Sequence, residues 1–386
     1  MRKHRMGRVV PVVLAGIAIV ALLVGSSVLR RESGGSELPP SGVLLPDDAP
    51  GARIVEAAGG RELVVLYGPI ELPANASHHD VVQAGPHVVP FPGDGWVHGY
   101  EVEVVDAEDR PVPREVLHHI NLIMPEDREL FSNIMRRIGA AGHETGAVRL
   151  PRLLGMPVQR GQQLMVTAMM HNPTDQSYER VYVRTRIPFT PRGGVLPRLD
   201  VYPFYMDVMP PAGKHAYDLP PGYSEQSWEG RPAVAGRLLG VGGHLHKYGK
   251  VLRFEDVTAG KVLWEVVPRL DENGEVIGMP TRRWFWPFGP RLRPDHVYRL
   301  TAVYENPTGE VIPEGAMGAL GGVIIVGRGG RWPEADQDHP EYVRDVEVTY
   351  ESAPSDHDHG AHGGHSGDHA DHAATGQPDE DHGHHH

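Results

Sequence analysis

Between about residue 61 and residue 350 the apolar positions fall into short runs, each closed by Gly, Pro, Asn or Asp, and helical periodicity is hard to find. Glu62–Tyr67, Trp96–Val105, Leu117–Met124, Gln163–His171, Arg180–Ile187 and Val201–Val208 read as successive strands. A second series follows the proline-rich neighbourhood of Pro191–Pro197: Gly236–His246, Lys250–Asp256, Val262–Val267, Tyr298–Asn306, Ala316–Val326 and Val343–Tyr350. Turn chemistry such as Asp271-Glu272-Asn273-Gly274 punctuates the runs. The spacing predicts an all-β chain of two antiparallel β-sandwich domains, residues 61–197 and 198–350. A length of 386 residues is enough for two cores, and 47 Gly with 36 Pro suits turns better than helices.

The ends differ from the middle. Arg2, Lys3, Arg5 and Arg8 precede an apolar run from Val9 to Leu29, long enough to cross a bilayer as a helix. Residues 1–29 are therefore expected to form a signal-anchor or transmembrane segment; Gly25-Ser26-Ser27 offers only a weak cleavage site. Basic residues are denser before the run than after it, where only Arg30 and Arg31 stand, so the rest of the chain should cross to an extracytoplasmic, periplasmic or cell-surface, location. Cleavage would make it secreted. Residues 30–60, rich in Gly, Pro, Ser and Ala, read as a flexible linker. Residues 351–386 read as a disordered His/Asp-rich tail with almost no apolar surface to bury, as in Asp356-His357-Asp358-His359. A purification tag would account for His384-His385-His386 but not for the seven histidines scattered before them; transient metal capture by the tail is expected.

A formal net charge of −13 argues against nucleic-acid binding, which needs a dense Lys/Arg surface. The absence of cysteine removes disulfides, thiolate metal sites and thiol catalysis, so any soft metal ligand must be methionine.

Histidine is where the candidate chemistry lies. In Gly243-His244-Leu245-His246 the imidazoles at i and i+2 share one face of a strand, so one ion could take both, although ordinary polar exposure would look the same. Met317, entering the apolar run Ala316–Val326, would ordinarily be core; with His244 and His246 it completes a nitrogen–nitrogen–sulfur set suited to copper, because a thioether stabilises Cu(I) while imidazole tolerates both oxidation states. His118 and His119 are adjacent, so in a regular strand they point to opposite faces, one buried and one exposed. Both reach one ion only if the chain bulges or ends there. His171 closes its strand and could supply a third nitrogen. His78, His79, His87 and His98 precede the first pair in a Gly/Pro-rich segment where surface placement is the ordinary expectation, although the segment around His78 could line a cleft between domains. His143, His215, His296 and His339 show no partner spacing.

Taken in order, His118-His119, His171, His244-Leu245-His246 followed by Lys247-Tyr248-Gly249-Lys250, then Met317, the pattern resembles the copper type II, ascorbate-dependent monooxygenases, the family of peptidylglycine hydroxylase and dopamine β-hydroxylase. The likeness covers about residues 61–350 and includes Met209–Lys214 and Leu300–Gly309. It implies two jelly-roll-like sandwiches holding two copper ions. His118, His119 and His171 would hold the copper that stores and passes an electron; His244, His246 and Met317 would hold the copper that binds O2. Ascorbate or a similar reductant would be co-substrate, and a small-molecule or peptide-like organic substrate would be hydroxylated at a C–H bond. Where peptide-amidating members grip a carboxylate with arginine, asparagine and tyrosine, this chain has Gly242, Ala319 and Gly321, which argues against peptidylglycine. The rival expectation is a non-catalytic extracytoplasmic copper-binding or copper-handling protein on the same scaffold; an adhesion module would leave six potential ligands unexplained.

Overall fold

The structure is a computed structural model, and it describes residues 51–351 except 77–80, 144–145, 194–198, 214, 286 and 328–329. The expected anchor at 9–29, His78 and His79, and the tail from 352 onward lie outside the described residues. Among the described residues no helix is long and apolar enough to cross a membrane.

The protein is mostly β. In the first half one sheet runs in the order Gly51–Ala57, Glu62–Leu72, Tyr178–Pro191, Gly95–Val97, Leu154–Val158, Leu199–Asp200, with Gly99–Asp106 also paired to Tyr178–Pro191. A facing sheet runs Val82–Pro90, Gln163–Met170, Leu117–Arg128, Met135–Ala141. One core lies between them: Leu63, Val65, Tyr67, Val102, Val104, Val181 and Val183 meet Ile120, Leu122, Met124, Leu164, Val166 and Ala168. These are alternate positions along their strands, as the two-residue period of a strand requires. The second half repeats the plan. Tyr202–Asp207, Gly318–Val326 and Gly236–Leu245 form one layer, and Gly222–Gly230, Tyr298–Asn306, Gly249–Asp256 and Lys261–Val266 form the other. Phe204, Met206, Leu238, Leu245, Leu320 and Ile324 pack there on Leu252, Phe254, Leu300, Ala302 and Tyr304.

Three expectations need correction. Residues 30–60 are not all linker, because Gly51–Ala57 pairs antiparallel with Glu62–Gly68. Ladder hydrogen bonds hold it, together with the partly buried Ala52 and Ile54, which pack on the first core, and composition gave no sign of it. Val343–Tyr350 is not a strand; it lies in the helix Pro340–Glu351, which also carries Glu351 out of the proposed tail. Tyr342, Asp345, Val346 and Thr349 form its inward face at helical spacing, while Val343 is exposed. Two of those inward residues are polar, so hydropathy showed instead the alternation of Val346, Val348 and Tyr350.

The boundary at 197/198 is also not clean. Leu130 and Phe131, from the first half, are buried in the second core, where the Phe131 ring lies 5.7 Å from Phe204, 6.0 Å from Phe254 and 5.8 Å from Tyr298. In return the C-terminal helix packs Tyr342 on Ile123, Met135 and Met165 of the first half.

The halves share one further device. Asn172-Pro173-Thr174 and Asn306-Pro307-Thr308 make matching turns: each Asn side-chain amide donates 2.7 Å to a carbonyl four residues on (Gln176, Glu310) and each Thr hydroxyl donates 2.7 Å to the Asn side-chain oxygen. The first turn directly follows His171, and the second leads into the segment that ends at Met317.

Candidate functional site

The strand Gln163–Met170 pairs Met169 with His119 and Met170 with Leu117, so the register shifts by one residue at His118. That is a β-bulge, and it rotates one side chain out of strict alternation. His118 Nδ1 and His119 Nδ1 stand 2.9 Å apart, their ring centroids 5.0 Å apart. Past the bulge pairing resumes, His171 donating its backbone N–H to Val116 O at 3.0 Å. The His171 ring, 7% exposed, sits 5.9 Å from His118. The structure therefore brings His118, His119 and His171 into one cluster.

In the second half the ladder pairs His244 with Ala319 and Leu245 with Gly318 and ends there, with His246 and Met317 the next residues on the two chains. There the backbone contacts pass through a phenol. Tyr304, fully buried, accepts from the backbone N–H of His246 at 2.9 Å and of Met317 at 3.1 Å, and donates to Met317 O at 2.5 Å. The Tyr304 hydroxyl thereby ties the backbones of His246 and Met317 together, and the His244 and His246 ring centroids are 5.2 Å apart.

The two clusters act on each other electrostatically. Burial, then the His118 imidazole, then His244 and His215 from the second half, lower the pKa of His119 to about 4. Burial, His244 and His118 lower that of His246 to about 4, against the opposing effects of a hydrogen bond to the Glu314 backbone and of Asp207. Both imidazoles are neutral above pH 5, the state a metal ligand needs.

Among the described residues no three His, Asp or Glu side chains are already gathered round one point. Two features nevertheless fit a metal. Nitrogens each about 2.0–2.1 Å from one ion and at right angles to each other lie about 2.9 Å apart, which is the His118–His119 spacing. The ring N–H of His246 is engaged by the Glu314 backbone, and this fixes the tautomer and leaves the other nitrogen to coordinate, the usual arrangement of a ligating histidine. In the first cluster the third nitrogen, from His171, would have to swing in by side-chain rotation.

Sequence reasoning missed Tyr304 and a polar group beside the clusters. Asp207, 3% exposed, pairs across Ala319 with the row of His244 and lies 3.3 Å from His215 Nδ1. It accepts from the Tyr205 hydroxyl, and from the Met209 N–H at 2.8 Å. Nothing in the spacing of 205, 207 and 215 announces this, because His215 reaches Asp207 across a turn. His98 is a correction of another kind: it is 4% exposed rather than on the surface, with ring nitrogens on Leu154 O at 2.7 Å and Thr190 Oγ1 at 2.9 Å. His296 is likewise paired, 2.8 Å from Asp256.

Gly242 and Gly321 are cross-strand partners one step from His244 and Ala319. A Cβ at Gly321 would meet nothing within 4 Å, and one at Gly242 only Thr281 at 3.2 Å. The surface next to His244 is open and carries no gripping side chain at these places.

No family model matches the chain. No curated protein matches it either. The chain shows distant similarity to a number of solved structures, among them the following three. The major capsid protein P2 of bacteriophage PM2 aligns at 11% identity over 68% of this chain and 99% of its own, TM-score 0.31. PNGase F, a glycosylasparaginase from Flavobacterium meningosepticum, aligns at 8% identity over 68% and 96%, TM-score 0.35. A structure of infectious bursal disease virus Gx strain aligns at 11% identity over 76% and 77%, TM-score 0.23. Scores this low bear on neither function nor fold, so the functional reading rests on the residues.

The depressed histidines carry a pH prediction. An unfolded histidine titrates near 6.5, whereas His119 and His246 titrate at about 4 in the folded chain, so between those values the unfolded state binds more protons. Stability of the metal-free protein should be complete above about pH 6.5 and decline as pH falls toward 4. Urea unfolding at pH 7, 6 and 5 should show the loss, and the double variant H119Q/H246Q should lose less over the same window. Parallel pH curves for the two proteins would refute the assignment.

Proposed function

We propose that the chain is a copper-dependent monooxygenase that hydroxylates a C–H bond of an organic substrate. It would consume O2 and two electrons from an ascorbate-like donor, one oxygen atom entering product and the other leaving as water. The observation that supports this reading is a pair of local distortions: the bulge beside which His118 and His119 nitrogens stand 2.9 Å apart, and the phenol that ties the backbones of Met317 and His246 together. In finer terms we read the two-layer halves as jelly-roll-like sandwiches and the chain as membrane-anchored and extracytoplasmic. Copper bound at the two clusters would supply one-electron transfer at the nitrogen-only set and oxygen activation at the set with the thioether. The chain's own part is to hold neutral imidazoles ready, to fix Met317 by its backbone, and to leave room beside His244, at Gly242 and Gly321, for a substrate.

With residues 355–386 removed, the protein should bind two copper ions per chain at pH 7. His118→Ala should abolish one of them. Met317→Ala should keep Cu(II) stoichiometry near two while weakening Cu(I) at one site by about tenfold or more, because the soft thioether is lost. Oxygen uptake with ascorbate across a substrate panel should depend on His244. Copper that disappears with the tail, together with no oxygen uptake, would favour the second reading. That reading is a copper-handling protein, and the bare surface at Gly242, Ala319 and Gly321 favours it. The tests thus separate catalysis from carriage.

A further inference from the structure

A cavity of about 330 Å3 opens in the first half, lined by Arg61, Arg149 and Arg152 together with His98, Leu150 and Phe189. It is remote from the histidine clusters. The strand Tyr178–Pro191 begins beside the turn that carries His171, and its far end, Phe189–Pro191, lines the cavity; fourteen residues of strand span roughly 40 Å.

Among the described residues that line it there is no carboxylate, in a chain whose formal charge is −13. Of the three guanidinium groups, Arg149 is paired with Glu101, and Arg61 donates only to Ala58 O at 3.1 Å. Arg152, on the exposed rim, has no acidic partner among the described residues. His98 is fixed at both ring nitrogens: Nδ1 donates to Leu154 O at 2.7 Å, because a carbonyl only accepts, and Nε2 stands 2.9 Å from the Thr190 hydroxyl, so the ring forms a rigid wall. The wall is built in place: Gly99 has φ +116, and a Cβ there would stand 2.0 Å from Val148 O, so glycine alone lets Gly99–Asp106 pair with Val148–Arg149 and bring Arg149 and Leu150 to the cavity. A recess with cationic walls concentrates anions, and the volume of this one is at the small end of ligand pockets, about 300–1,000 Å3.

We propose that this cavity is a binding site for a small organic anion, a carboxylate or phosphate ester with an apolar body. The body would lie on Phe189 and Leu150, and the anionic oxygens would accept from Arg61 and Arg152. The proposal is independent of the copper reading, because no residue is shared.

Isothermal titration of the full chain with phenyl phosphate, benzoate and neutral benzyl alcohol tests it. At least one of the two anions should bind saturably at one per chain, about tenfold or more tighter than benzyl alcohol, and the tighter of the two identifies the headgroup. The double variant R61Q/R152Q changes two exposed side chains, so it should keep the parent's circular dichroism and melting, yet weaken that anion about tenfold or more. Arg283→Gln, exposed in the second half, should leave binding unchanged. No saturable binding of either anion, equal binding of benzyl alcohol, or unchanged affinity in R61Q/R152Q would each overturn the site.

Discussion

Replacing Tyr304 by phenylalanine is expected to destabilise the protein by about 2–5 kcal/mol and to weaken metal binding at His244, His246 and Met317 without disturbing the His118 cluster. The hydroxyl takes two backbone N–H groups and gives its hydrogen to a carbonyl, all at the point where the ladder of Gly236–Leu245 and Gly318–Val326 runs out. Phenylalanine fills the same space, so packing of the ring in the core is kept and the loss is purely of hydrogen bonds. Each part-buried donor or acceptor left unmade costs about 1–3 kcal/mol. Equilibrium urea unfolding measures the first effect, and Cu(I) competition measures the second. A variant as stable as the parent would show that water replaces the phenol, and Met317 would then have no rigid mount.

Asp345→Ala should cost about 3–5 kcal/mol, the usual consequence of leaving one member of a buried ion pair unpaired. Asp345 is 3% exposed; its carboxylate takes Arg137 Nη2 at 2.5 Å, Arg137 Nη1 at 2.9 Å and the Met135 N–H at 3.0 Å. That contact joins the C-terminal helix to Met135–Ala141, the strand paired with Leu117–Arg128, on which His118 and His119 stand. Loss of the pair should release the helix before the sheets unfold. Limited proteolysis should then cut within 340–351 at denaturant concentrations where circular dichroism still reports strand. Simultaneous loss of helix and sheet signals would show instead that the helix is part of one cooperative unit.

The strands were legible because each half buries one face of each sheet against the other, and that leaves the two-residue period in the sequence. Leu63, Val65 and Tyr67, or Leu164, Val166 and Ala168, show it directly. The period failed where burial and hydropathy part company. Asp345 and Thr349 are inward because they are hydrogen-bonded, so the helix they belong to looked like a strand with valines on alternate positions. Gly51–Ala57 is only partly buried, with Ala52 and Ile54 on the core and pairing along its whole length, so composition did not reveal it. The matching Asn-Pro-Thr turns were visible at 172–174 and 306–308, and as a repeated tripeptide followed by similar hydrogen bonding they could have tied the halves together earlier.

For the candidate site, the sequence determined which donors exist: imidazoles at i and i+2 in 244–246, an adjacent pair at 118–119, and a thioether as the only soft ligand in a chain without cysteine. It also set the condition that 118–119 must bulge to serve one ion. Whether that condition is met was decided by the register of Leu117–Arg128 against Gln163–Met170, a long-range pairing that local residues do not encode. The nearness of Met317 to His246, and the reach of His244 and His215 to His119, come from sheet register and from contact between the halves. Local chemistry chooses ligands, but only the folded chain sets the distances over which imidazole, thioether and charge can act together.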